Sequence, residues 1–186
     1  METMIAPGFL VAAPQLKDPN FEGTVVLMIE HQDDEGSFGI VINRRASVDL
    51  SIVLRELGLA SPTDLASHPK VLFGGPVATE RGLIVHTDEW TGEATTRVGE
   101  GVAVTASIDL LAAISAGRGP RSYRFCLGYA GWGPGQLVSE IKAGAWITVP
   151  FFADLLFEVP LEDRWRAALA HLGIDPNKLV PAFGDA

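Results

Sequence analysis

Short apolar runs bounded by Gly and Pro dominate the chain, and their lengths separate strands from helices. Gly8 to Ala13 and Gly23 to Glu30 are rich in Val, Ile, Leu and Phe, as strands buried on both faces are; Phe38 to Asn43 is a third. The polar stretch His31-Gln32-Asp33-Asp34-Glu35-Gly36-Ser37 joins the second and third as a hairpin connection. Ser47 or Asp49 can cap a helix running to about Leu57, and Gly58 supplies its left-handed stop. Val71 to Phe73 and Gly82 to His86 read as short strands, and Glu93 to Val98 pairs with Gly101 to Ala106 around Gly99-Glu100. Ser107 opens a second helix with Leu110, Leu111 and Ile114 on its buried side. After the strand Tyr123 to Leu127 comes the least ordinary segment, the Gly-rich turn Gly128 to Gln136. A helix over Leu137 to Lys142 and a strand over Ala145 to Val149 follow. A last helix begins near Pro160 and buries Trp165, Ala168, Leu169 and Leu172.

This order of elements predicts an α+β fold, and no repeat or linker divides it, so residues 1–186 read as a single domain. The 14 Lys and Arg against 23 Asp and Glu give a net charge of -9, which repels phosphate backbones and makes nucleic acid a poor partner. The single cysteine, Cys126, requires no oxidising compartment, and a cytoplasmic setting fits. The uncharged stretch Thr3 to Leu16 contains Pro7, Gly8 and Pro14 and follows Glu2, so it reads as a buried strand, not a signal peptide or a membrane span.

No G-x-S-x-G elbow is present, and Cys126 lies among apolar neighbours, where a thiol stays protonated. His31, His68, His86 and His171 are far apart in sequence, and the three acids after His31 lack the spacing of a calcium loop. No metal or cofactor is expected. Two Gly-rich turns stand out as a ligand or partner surface: Gly74-Gly75, and Gly131, Trp132, Gly133, Gly135 and Gln136. Successive glycines let backbone N–H groups approach an anion, and a helix start adds a favourable dipole. The bland alternative is that these glycines only allow a turn while Trp132 fills a core. Asn43 and His86 end neighbouring candidate strands, and convergence of all four features would line one polar cleft.

The same segments resemble the AlgH/YqgE family of bacterial proteins. The resemblance rests on Gly8-Phe9-Leu10-Val11-Ala12 through Pro14, the strand before His31, and Gly39-Ile40-Val41-Ile42-Asn43. It continues through Phe73-Gly74-Gly75-Pro76-Val77, Gly128-Tyr129-Ala130-Gly131-Trp132, Gly135-Gln136-Leu137, Glu140 and Trp146 to the Gly184-Asp185-Ala186 terminus. The chain departs from the family at Gly144, where Asn is frequent, and at Asp185, where His is frequent. The resemblance implies strongly bent, partly barrel-like sheets with flanking helices, a bacterial cytosolic protein sometimes labelled a transcriptional regulator, and no agreed catalytic residues. The expected function is a non-catalytic binding or regulatory module acting on protein partners, with room for a small anionic ligand at the Gly-rich cleft. An enzyme acting on a small anionic substrate, with His31 or His86 moving a proton, is the alternative, and a DNA-binding regulator ranks below both.

Overall fold

The computed structural model describes residues 4–179, so the Gly184-Asp185-Ala186 terminus lies outside the described residues. The chain divides into two compact units: the described residues of Met1–Asn43 with Ala130–Ala186, and Arg44–Tyr129. Each mixes helices with mainly antiparallel strands, so the α+β expectation holds.

In the first unit, β1 (Gly8–Ala12) pairs antiparallel with β2 (Val25–Gln32) on one side and β9 (Trp146–Pro150) on the other. Every residue of β1 is buried, which explains its unbroken apolar run. β2 continues into β3 (Gly36–Val41), with His31 opposite Ser37 and a bulge between Met28 and Glu30. The end of β8 (Tyr123–Trp132) joins β3, placing Ser37 opposite Trp132. Three helices belong here: α3 (Gln136–Lys142), α4 (Asp154–Phe157) and α5 (Arg164–His171). Leu10, Val26, Met28, Val41, Leu137 and both Trp132 and Trp146 form one continuous core.

In the second unit the strand order is β6 (Thr95–Gly99), β7 (Val102–Thr105), β5 (Val77–Thr87), β8, and the short β4 (Leu72–Phe73) runs parallel to β8. Helices α1 (Leu50–Glu56) and α2 (Ile108–Ser115) pack Leu50, Leu54, Leu110, Leu111 and Ile114 onto Val71, Ile84, Tyr123 and Phe125. Fully burying side chains of this size contributes roughly 1.5–3 kcal/mol apiece. Ser107 caps α2 through the N–H of Asp109 as expected, whereas Asp49 occupies the first position before α1 without a side-chain cap.

Three local expectations change. Gly128 to Trp132 is strand, not turn, and only the residues from Gly133 to Gly135 turn before α3. The glycines hid it because they add nothing to an apolar pattern. α4 was not expected, since four residues are too few to show a helical period. Leu172, expected in the core, follows the end of α5 and is exposed. Among the described residues no helix is long and apolar enough to cross a membrane.

Candidate functional site

The residues singled out in the sequence divide between the units. Gly131, Trp132, Gly133, Gly135, Gln136 and Asn43 belong to the first, and Gly74, Gly75 and His86 to the second. Trp132 is only 5% exposed. Its indole stacks on Phe21 at 5.9 Å and meets Trp146 edge-on at the same distance. One carboxylate oxygen of Glu140 accepts the Trp146 indole N–H at 3.0 Å and, at a longer 3.4 Å, that of Trp132. The other oxygen accepts the Gln136 amide at 2.9 Å, and the Gln136 carbonyl in turn accepts the Gly133 N–H at 3.0 Å. The segment is thus tied down by its own side chains, with Gly131, Gly133, Gly135 and Gln136 facing solvent. Asn43 is similarly engaged, accepting the Val25 N–H at 2.8 Å and donating to the Gly23 carbonyl at 2.9 Å, so it clamps the start of β2.

His31 lies beside this turn. Its Nε2 is 2.8 Å from Asp33 Oδ1 and its Nδ1 is 2.7 Å from Ser37 Oγ. An ionised carboxylate only accepts, so Nε2 carries the proton and Nδ1 accepts from the Ser37 hydroxyl. The Gly135 N–H donates to the Asp33 carbonyl at 3.0 Å, and a Cβ on Gly36 would stand 2.6 Å from the Trp132 carbonyl oxygen. Ser37 and Asp33 were not chosen from sequence. An acidic stretch after a strand reads as a solvated turn, and only the cross-strand register places Ser37 against His31.

In the second unit Gly74 and Gly75 are buried, and the Gly74 N–H donates to the Leu127 carbonyl at 2.7 Å. Gly128, at φ 78°, presses its backbone against Gly75, and a Cβ there would overlap the Gly75 carbonyl oxygen. These glycines allow close backbone packing. His86 is fully buried, with Nδ1 donating to the Thr87 carbonyl at 2.8 Å and Nε2 accepting from the Thr105 hydroxyl at 2.7 Å. Burial lowers its pKa and keeps the ring neutral, and both nitrogens are occupied.

Two cavities of the second unit drew no attention in the sequence. One, of about 450 Å³, holds a chain of polar groups: Asp64 Oδ1 lies 3.2 Å from His68 Nε2, and His68 Nδ1 lies 2.5 Å from the Tyr123 hydroxyl. The hydrogen bond from His68 holds the Asp64 carboxyl below its usual range, while burial raises the Tyr123 phenol. The other is an apolar groove of about 380 Å³, floored by Ile84, Phe125 and Leu127. Val53 and Glu56 of α1 with Leu57 just after it form one wall, Ile108 and Leu111 of α2 another, and Thr79 and Glu80 of β5 the rim. Leu57 and Ile108 are 42% and 49% exposed, unusual for large apolar side chains packed around one opening. The rim is irregular, because Val77 pairs with Tyr129 but the next paired residue is Gly82, opposite Leu127. In that interval Ala78 has φ 47°, a left-handed conformation rare outside glycine. No sequence signal marks the groove, since its lining comes from five elements and its apolar members match core residues in type. Among the described residues no three His, Cys, Asp or Glu side chains gather to hold a metal.

Comparison with known proteins gives a consistent picture. Residues 9–177 match the family model described as AlgH-like. A UPF0301 protein of Rhodospirillum rubrum is 43% identical over 178 residues, covering 95% of this chain and 92% of that protein. One from Xanthomonas campestris is 39% identical over 186 residues, covering 100% and 98%. The solution structure of the AlgH protein from Pseudomonas aeruginosa superposes with a TM-score of 0.80 at 38% identity and covers both chains fully. A crystal structure of a protein from Corynebacterium diphtheriae gives a TM-score of 0.71 at 26% identity, covering 96% of this chain and 92% of that one. With its matched segments running from β1 to beyond α5, the chain belongs to the AlgH-like family.

Proposed function

We propose that this protein is a non-catalytic binding module that acts through protein contacts, and that the apolar groove of the second unit receives an apolar side chain of a partner segment. The observation that carries this reading is the exposure of Leu57 and Ile108 around an opening floored by Ile84, Phe125 and Leu127. A cavity of about 380 Å³ is at the small end of ligand sites and suits an anchoring side chain better than a cofactor. The net charge of -9 argues against DNA as the partner. The test compares affinity capture from a native lysate by the wild type and by Ile108→Asp. Because Ile108 is half-exposed, the variant should melt within a few degrees of the wild type while losing captured proteins. An unchanged partner set with Ile108→Asp would count against the groove.

An enzymatic reading is favoured by one arrangement, the Ser37–His31–Asp33 chain, in which His31 is oriented as a base toward Ser37. The anion-binding part of that reading has less support, because the Gly133 and Gly135 N–H groups are already donated to Gln136 and Asp33. A fluorophosphonate probe decides it. Ser37 Oγ would bond to phosphorus as fluoride leaves and His31 takes the hydroxyl proton, and labelling would disappear in Ser37→Ala and His31→Gln. Absence of labelling on the folded wild type removes this reading.

A further inference from the structure

We infer that the segment bound by the second unit's groove carries Lys or Arg on both sides of its apolar anchor. This rests on the groove reading and adds the charge of the partner. The lining of the groove is mostly apolar, with the hydroxyls of Thr79, Thr105 and Ser107, and its charged groups are two carboxylates on separate elements: Glu56 on α1 and Glu80 on the β5 rim, both exposed, with no Lys or Arg in the lining. Their basic neighbours in sequence do not cancel them. Arg55 is about 100° around α1 from Glu56, and neither Arg55 nor Arg81 lines the groove.

Glu56 occupies a position that local stability disfavours, and Glu80 stands beside a strained stretch of backbone. Glu56 is the last residue of α1, where the negative end of the helix dipole repels a carboxylate. Glu80 follows Ala78, held left-handed in the interrupted stretch of β5. Local rules are broken together at one opening, as is expected where binding and not folding fixes the residue. A partner with cationic flanks meets complementary charge from α1 and from the β5 rim while its anchor enters the apolar floor.

The probe is a phage-displayed random peptide library panned against the full chain, followed by titration of the enriched peptide at low and high salt. Enriched sequences should place Lys or Arg on either side of an apolar residue. The Glu56→Lys/Glu80→Lys double variant should bind that peptide at least tenfold more weakly at low salt, with the difference shrinking as salt rises. Its melting temperature should be unchanged or raised, which a merely structural role for the two acids would not produce. Enriched peptides without basic residues, an affinity unmoved by the double variant, or no enrichment at all would overturn the inference. The groove reading is judged separately, because a peptide whose binding survives Ile108→Asp is bound elsewhere.

Discussion

The two units both pair their buried polar groups but differ in the apolar side chains they leave exposed. In the first, the two core tryptophans converge on Glu140, and buried Arg164 donates to the carbonyls of Ile42, Leu156 and Val159. In the second, four of the six exposed large apolar side chains of the described residues are found: Ile52, Leu57, Val77 and Ile108. It also contains the one non-glycine residue of positive φ among the described residues, Ala78. A unit with its polar groups satisfied and its exposed large apolar side chains confined, among the described residues, to Met4 and Leu172 is built for persistence. One that leaves apolar side chains around an opening beside a strained backbone retains free energy that a partner can release.

Substitutions that break packing should have the largest effects. Gly128→Ala forces a methyl group into the Gly75 carbonyl and a side chain onto a left-handed residue. Overpacking and backbone strain together predict a loss of about 2–6 kcal/mol, measured by urea denaturation. That could consume most of a typical domain's stability. In the first unit, Glu140→Leu leaves the indole N–H of Trp146 and that of Trp132 without their acceptor. Two buried donors left unpaired should cost about 2–4 kcal/mol, and Glu140→Gln should cost less because its amide oxygen still accepts. If Glu140→Leu proved neutral, the first unit would be less dependent on this network than its geometry requires.

His86 gives a smaller effect with a defined sign. Burial depresses its pKa in the folded chain, so the unfolded chain binds the proton more readily below the ordinary value of 6.5. The neutral ring therefore stabilises fully above that pH, and stability is lost as pH falls through the window beneath it. The loss can reach about 1.4 kcal/mol per pH unit. Between pH 6.5 and 5.5 the wild type should lose melting temperature, and His86→Gln should show a flatter slope over the same interval. Asp64, whose carboxyl is held low by His68, acts only at more acidic pH and leaves this interval clear.

Most of the architecture was legible because runs such as Phe9-Leu10-Val11 and the Ser107 cap express burial and hydrogen bonding locally. Gly128 to Trp132 was misread as a turn because glycine signals backbone freedom without saying whether the freedom serves a bend or a close contact; here Gly128 serves contact with Gly75. The groove was illegible for another reason. Ile108 and Leu57 are branched aliphatic residues like Leu110 and Leu54, and only the tertiary arrangement leaves the first pair open and the second covered. His31, Asp33 and Ser37 were all visible as residues, but their alignment depends on the β2–β3 register.

The smallest predicted effect tests the contrast most directly. Ala78 holds φ 47° within the stretch of β5 that raises Thr79 and Glu80 onto the groove rim. Glycine adopts that conformation without steric cost, although it loses more entropy on folding than alanine does. If the strain dominates, Ala78→Gly should raise stability by about 1 kcal/mol, read from denaturant midpoints. A second measurement separates strain from shape. The methyl group of Ala78 restricts the backbone that carries the rim, so glycine should loosen Glu80 and weaken binding of a basic-flanked peptide by a few fold, even as the free protein becomes more stable. The equivalent relief is unavailable in the first unit, where every left-handed residue described is already glycine. Opposite movement of stability and binding at Ala78 would place the difference between the units in the backbone of β5, whereas loss of stability on Ala78→Gly would show that the rim is held by packing of the alanine methyl group.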